Sequence, residues 1–405
     1  MLISPPAGLF DGRMDDVNLP TVFGSGKVGG VLADHGLVRG GATEGLGWGV
    51  MSHLRWRRLQ PPQMWKCRLS HSERIGYTPR RMIEKITNEA LAAGQIIREP
   101  VGDEKGYWVG CPGAFYDADE SAWYLTYRIR RPRGVQPDRG GEVRVCRSTD
   151  LENWEDVLTI TKDQYNTASI ERSALHKGKD GQYRYFSSYV NEEDGRWCTN
   201  VIKAGKVTEL DPANQTVIFK AAPLGLEGIK DPWVMEKDGT YCMFLSIALP
   251  TEQTGDGSHE TLDIFNTGEC KSATALATST DLDNWEYQGT IFAPGDEGWD
   301  KYCRRINSVA EHGGKYYAFW DGSASHLENY EEKTALAVSD DLKSWTSLNP
   351  DGPEFVSPFA STSIRYIDAQ KLDDKWYVFY EFAREDGAHN MRLVVTDDNG
   401  MPFRD

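Results

Sequence analysis

A seven-residue phrase occurs three times in this chain: Ser148-Thr149-Asp150-Leu151-Glu152-Asn153-Trp154, Ser279-Thr280-Asp281-Leu282-Asp283-Asn284-Trp285 and Ser339-Asp340-Asp341-Leu342-Lys343-Ser344-Trp345. A phrase repeated in step with a strand pattern marks a repeat architecture, in which neighbouring copies bury faces that none can bury alone. Each copy reads as the end of one strand, a turn set by the aspartate, and a tryptophan opening the next strand.

From about residue 105 onward five segments share a form: an inner strand, a turn containing Gly or Asp, then a strongly aromatic strand. Gly110-Cys111-Pro112-Gly113-Ala114-Phe115 leads to Trp123-Tyr124-Leu125-Thr126-Tyr127, and Glu171-Arg172-Ser173-Ala174-Leu175 leads to Tyr183-Arg184-Tyr185-Phe186. Lys230-Asp231-Pro232-Trp233-Val234 leads to Tyr241-Cys242-Met243-Phe244, and Arg305-Ile306-Asn307-Ser308-Val309 to Tyr316-Tyr317-Ala318-Phe319. The last runs from Ile364-Arg365-Tyr366-Ile367 to Trp376-Tyr377-Val378-Phe379. Successive starts lie roughly 60 residues apart, room for four strands and their loops. The phrase follows the second strand in the first, third and fourth units; a β-sandwich has no reason to place it so. The chain therefore reads as all-β: a five-bladed β-propeller over residues 105–405, preceded by an N-terminal arm and short helix within residues 1–104.

The helix is expected over 79–93, with Thr78 as N-cap, Pro79 at the first helical position and Gly94 after the end. Met82, Ile86 and Ala90 give it one apolar stripe for packing on the main domain or on a second subunit, the latter giving a homodimer through the N-terminal segment. Residues 1–70, broken by Gly24-Ser25-Gly26 and Gly40-Gly41, read as a loosely attached arm.

Composition narrows the partners. A net charge of −16 argues against nucleic acid and against an anionic membrane surface. No run of about 18 apolar residues is present to span a bilayer. Met1 to Asp16 lack the basic and apolar regions of a secretory signal. Seven scattered cysteines, with no C-x-x-C spacing, read as free thiols in a reducing cytoplasm rather than as a disulfide frame or zinc site. No metal motif and no cofactor motif appears. Thirteen Trp and eighteen Tyr suit strand packing and sugar-binding surfaces alike.

In a propeller the start of a first strand and the end of a second emerge on one face, because the two are antiparallel. The starts contribute Cys111, Glu171, Arg172, Asp231, Arg305, Asn307 and Arg365, with Trp233 just beyond; the ends contribute Arg128, Tyr189, Asp321 and Glu381. Asp231 before Pro232 and Asp321 before Gly322 also suit turns, and Arg and Glu at strand ends also form ordinary ion pairs. Convergence favours function, since charges crowded at the narrow end of a ring are costly to desolvate without a ligand. Glycosidic-bond cleavage uses such a set, with one carboxylic acid protonating the leaving oxygen and a second carboxylate activating water or attacking.

Lys230-Asp231-Pro232, the Gly-x-Tyr aromatic second strands and the three phrases resemble the five-bladed glycoside hydrolases of families 43, 32, 117 and 130, over about residues 105–398. These families include arabinanases and xylosidases, fructosidases, neoagarooligosaccharide hydrolases and mannoside phosphorylases. The resemblance implies that Asp231, opening the third blade, tunes the acid or stabilises the transition state; the expected helix is similar to the N-terminal helix of family 117. Two departures stand out. Cys111-Pro112 occupies the place of a catalytic Asp in the first blade, and Ile306-Asn307 that of an acid Glu in the fourth. Glu171, Asp321 or Glu381 must then supply the second carboxylate, or His389, in the turn Asp386-Gly387-Ala388-His389, the acid. Arg128, with Arg131 and Arg133 beyond it, suggests a uronate-bearing glycan or inorganic phosphate.

The sequence thus points to a glycosidase removing a terminal sugar from an oligosaccharide. Asp231, Glu171, Asp321 and Glu381 are the candidate catalytic residues, and Arg128, Arg172, Trp233, Arg305, Asn307, Arg365 and His389 the candidate binding residues. The insertion at 247–272, with Asp256, His259 and Asp263, would wall the pocket. A phosphorylase of the same architecture and a non-catalytic carbohydrate-binding propeller stay open beside it.

Overall fold

The computed structural model describes residues 82–404. The chain divides into two units, residues 1–65 and 66–405, and every described residue lies in the second. The arm expected over 1–70 and the helix start at Thr78-Pro79 lie outside the described residues.

The described chain is almost entirely strand, paired in antiparallel groups. In the first, β2 (Trp108–Asp117), β3 (Ala122–Arg131), β4 (Arg139–Ser148) and β5 (Glu155–Thr161) follow one another. In the second, β6 (Ala174–Lys177), β7 (Tyr183–Val190), β8 (Trp197–Ala204) and β9 (Thr216–Phe219) do the same. The third comprises β10 (Gly228–Lys237), β11 (Thr240–Pro250), β12 (Cys270–Ser279) and β13 (Glu286–Phe292). The fourth comprises β14 (Cys303–His312), β15 (Lys315–Ser323), β16 (Lys333–Ser339) and β17 (Thr346–Ser347). The last holds β18 (Ile364–Leu372), β19 (Lys375–Ala383) and β20 (His389–Asp397), and its outer strand is β1 (Gln95–Arg98), from the N-terminal side of all the others. First strands approach one another in a cycle, β2 to β6, β6 to β10, β10 to β14, β14 to β18 and β18 to β2. This is the closure by which a propeller protects its edges.

Apolar side chains fill the layers between groups. Phe186, Ile229, Met243, Leu245 and Ala275 pack between the second and third groups, and Trp123, Leu125, Phe379 and Leu393 between the first and last. The repeated phrase makes the turn between third and fourth strands in three groups. Ser148 Oγ accepts from the N–H groups of Asp150 and Leu151, and Asp150 Oδ1 from those of Glu152 and Asn153. Trp154 Nε1 then donates to the Leu151 carbonyl at 3.1 Å. The Ser279 and Ser339 copies repeat every one of these contacts. The central leucines adopt φ of 60°, 67° and 65°, a left-handed conformation unfavourable for leucine, and each drives its side chain into the core in exchange.

The expected helix is shorter than its apolar stripe suggests. Among the described residues only Asn88–Ala92 (α1) is α-helical, and its N-cap is Thr87, whose side chain accepts from the Ala90 N–H. Upstream, Met82 bridges Val395, and Ile83 and Ile86 donate backbone N–H groups to Val395 and Gly400. Pairing with β20 and the turn after it satisfies this backbone, so tertiary contact overrides the helical period. Strand pairing consequently begins upstream of the boundary expected at residue 105.

Candidate active site

Four of the five first strands carry a bulge near their inner end: register shifts between Gly110 and Gly113, Lys230 and Trp233, Ile306 and Ser308, and Arg365 and Asp368. Bulges re-aim side chains and recur beside active sites. Cys111, Asp231 and Tyr366 occupy equivalent bulge positions with φ of 55°, 56° and 53°. A non-glycine residue held there costs of the order of 1–3 kcal/mol, and the surroundings must enforce it.

Around these bulges runs a chain of alternating charge, each member at most 3% exposed. Arg128 pairs with Glu171. Lys230 Nζ stands 3.7 Å from both Glu171 and Asp231. Arg305 lies 4.0 Å from Asp231 and also pairs with Glu332. Arg365 joins Glu332 at 2.8 Å to Glu381 at 2.7 Å, and His389 Nδ1 meets Glu381 at 2.7 Å. The Cys111 N–H donates to Glu381 at 3.2 Å, bringing the first group back to the last.

The carboxylates of this ring are in different states. Burial raises the Glu332 carboxyl, but Arg305 and Arg365 more than offset it and hold it at about 2. Glu381 is likewise held at about 2, where Arg365, His389 and Arg128 outweigh burial. Asp321 is pushed up to about 6 by burial and by the nearby Glu332 charge. It is nonetheless fully engaged, accepting the Thr334 hydroxyl at 2.8 Å and the Tyr366 N–H at 3.0 Å. Burial lowers the His389 imidazole against the pull of Glu381, and a neutral ring with its proton on Nδ1 fits the contact. Burial pushes the Cys111 thiol up, so it is not poised as a nucleophile.

Asp231 differs from all of these. Its backbone N–H donates to Ser188 Oγ at 3.1 Å, but neither carboxylate oxygen has a hydrogen-bond partner among the described residues. Arg305 Nε and Asn307 Nδ2 are buried and unpartnered as well. Buried polar groups left open in this way have room in their hydrogen bonding for ordered water or a polar ligand.

The sequence-derived candidates therefore separate. Asp231, Glu171, Glu381, Arg128, Arg305, Arg365 and His389 come together in the ring, and Asn307 joins them from the β14 bulge. Arg172 instead crosses the centre, donating to the Pro112 carbonyl at 2.9 and 3.2 Å and to the Asn307 carbonyl at 2.9 Å. Trp233 is buried and donates Nε1 to Asp368 at 3.1 Å, which leaves no open ring face for a sugar. In the insertion His259 turns to Glu227 at 2.7 Å, while Asp263 receives Trp197 Nε1 at 3.2 Å and the Tyr330 hydroxyl at 3.0 Å. Arg131 faces Glu142 at 3.6 Å. Sequence reasoning missed Glu332, Lys230 and Tyr366. Glu332 stands just before the third strand, at the same end as Asp321, so the antiparallel argument extended by one strand would have reached it. Among the described residues no group of His, Cys, Asp and Glu is arranged to hold a metal ion. A groove of about 900 Å3 between α1 and β20 contains none of the ring residues.

No family model matches the chain. A solved glycoside hydrolase superposes with a TM-score of 0.53 at 13% identity, covering 79% of this chain and 97% of that one. A thermostable family-43 glycoside hydrolase gives 0.51 at 12% identity, covering 75% and 96%. The chain has the propeller fold of these glycoside hydrolases. In sequence it is 30% identical over 151 residues to a β-1,2-mannobiose phosphorylase of Listeria innocua, a match covering 36% of this chain and 39% of that protein's length. No described helix is long and apolar enough to cross a membrane.

Proposed function

We propose that the chain is a five-bladed propeller enzyme, each four-stranded group one blade, that hydrolyses a terminal sugar from an oligosaccharide bound at the charged ring. The observation that carries this reading is the open Asp231 carboxylate, buried yet without a hydrogen-bond donor on either oxygen among the described residues. Such a group holds a sugar hydroxyl and steadies the positive charge that develops at the anomeric carbon. Glu171, which shares Lys230 with Asp231, is the second carboxylate, and Arg128 fixes its position. Arg305 Nε and Asn307 Nδ2 are free to hold sugar hydroxyls. Arg365, Glu381 and Asp321 act from behind, through their contacts to Glu332, Cys111 and Tyr366.

A second reading, phosphorolysis, draws support from two observations. Asp321 and Glu381 are committed to internal partners, which leaves few carboxylates to activate water, and the phosphorylase relative shares 30% identity. Inorganic phosphate would then replace the second carboxylate as attacking group. The test is a panel of aryl glycosides and of plant and algal oligosaccharides, with and without phosphate. Hydrolysis predicts release of free monosaccharide independent of phosphate. Turnover only with phosphate, yielding a sugar phosphate, replaces the first reading by the second; binding without turnover removes both.

A further inference from the structure

Arg130 lies two residues beyond Arg128 on β3, directly opposite Trp108 on β2. It is 5% exposed and Trp108 6%. The Arg130 guanidinium sits 3.8 Å from the centre of the Tyr330 ring and 5.4 Å from that of Trp108. Tyr330 reaches over it from the loop between β15 and β16, at a φ of 88° that a tyrosine adopts only when its surroundings hold it there. Trp108 packs at a tilt of 32° against His389, ring centres 5.2 Å apart, and Arg365 lies 5.5 Å from the same indole, so this cluster adjoins the ring.

What distinguishes the cluster is what it lacks. Arg128, Arg305 and Arg365 each pair with a glutamate, whereas no described carboxylate forms an ion pair with Arg130. Asp263, the acid that acts on it through space, is engaged by Trp197, Tyr330 and Asn266. Burial, aided by the nearby Arg128 charge, works against the Arg130 charge, and the Tyr330 hydroxyl with the two aromatic faces offsets only part of it. Two donors here are buried without partners among the described residues, Arg130 Nη1 and Trp108 Nε1. A cation and a neutral N–H on facing residues, both unsatisfied, suit a planar or tetrahedral oxyanion taking a charge-assisted hydrogen bond from one and an ordinary bond from the other.

We infer that Arg130 and Trp108 form an oxyanion-binding subsite, roofed by Tyr330, that takes the carboxylate of a uronic acid or an inorganic phosphate. That this anion belongs to a glycan reaction rests on the function proposed above; the subsite itself does not.

Binding is measured by calorimetry and thermal shift on the full chain at fixed ionic strength, with sodium phosphate, sodium glucuronate and, as neutral control, glucose. Phosphate or glucuronate should bind and raise the unfolding temperature, as any ligand selective for the folded state does. Arg130→Met should weaken that binding about tenfold or more, the worth of a hydrogen bond to a charged group, and abolish the thermal shift. Because it removes a buried unpaired charge, this variant should unfold no earlier than the wild type when ligand-free. Trp108→Phe keeps an aromatic, if smaller, ring and drops the N–H; it should weaken binding severalfold and carries the test if Arg130→Met does not fold. Preference for phosphate identifies a reactant, and preference for glucuronate a substituent of the substrate. Failure of both anions to bind, or unchanged affinity in both variants, overturns the inference. Asp231→Asn should retain anion binding, so loss of the subsite and loss of the proposed chemistry are read separately.

Discussion

Asp231 and Asp321 are the same residue type, buried alike, and the structure gives them opposite work. Asp321 accepts two hydrogen bonds, one from Thr334 in its own group and one from the Tyr366 N–H that ties the fourth group to the last, while Asp231 is left open. Sequence position brought both to one end of the molecule but could not separate them, because engagement depends on Thr334 and the Tyr366 N–H, far away in the chain. Glu332 was passed over for a related reason: it stands just before a third strand, outside the inner-strand ends, and folding sets it between Arg305 and Arg365. Removing it leaves two buried guanidiniums short of a partner, so Glu332→Gln should cost about 3–5 kcal/mol in urea unfolding. The same residues set the response to pH. Glu332 and Glu381, held at about 2, confer stability that is complete above the unfolded value of 4.5 and is lost as pH falls toward 2. Asp321 has the opposite sign. Its folded value of about 6 exceeds the unfolded 3.8, so its ionisation costs stability above pH 6, and protonation relieves that cost between 6 and 3.8. Urea midpoints measured against pH should therefore rise modestly from about pH 7 to about 5 and fall steeply below about 4.5. A midpoint flat from pH 5 to 2.5 would contradict the assigned pairings.

At the scale of elements, the repeated phrase is a device for turning the chain. Its serine and aspartate satisfy four backbone N–H groups in each copy, and its leucine is held left-handed to reach the core. Asp281→Ala should cost about 1 kcal/mol, as for a lost capping side chain. Leu282→Ala should cost about 2–5 kcal/mol, since Leu282 is fully buried. Thermal unfolding of the two variants checks the order. The phrase was legible because its turn is local: the hydrogen bonds that shape it all run between residues two or three apart. The helix was misread because its fate is not local. The apolar stripe of Met82, Ile86 and Ala90 fits a helix, yet β20 offers backbone partners to the residues before Thr87. β1 carries the same lesson. Four residues give no strand signal of their own, yet they complete the last group on β20. Ile97→Asp, placing a charge in the core at β1, should expose the β20 edge and promote association, visible as a mass increase in light scattering.

For the molecule as a whole, the ring order of the groups was readable from spacing and aromatic strands, and the common end of the inner strands from antiparallel geometry alone. The fastenings of the ring were not, because they depend on β1 completing the last group on β20 and on Arg172 holding the Pro112 and Asn307 carbonyls across the centre. Nor was the division of labour in the charged ring, where most candidates hold one another and one carboxylate stays open. That division is the central claim, and turnover by Asp231→Asn tests it most directly. On a substrate that the wild type cleaves, kcat/KM should fall about 100-fold or more, the scale of losing an acid–base or charge-stabilising group. The unfolding temperature should stay unchanged or rise, because no hydrogen bond to the Asp231 side chain is lost. Full turnover in a folded Asp231→Asn chain would contradict the account.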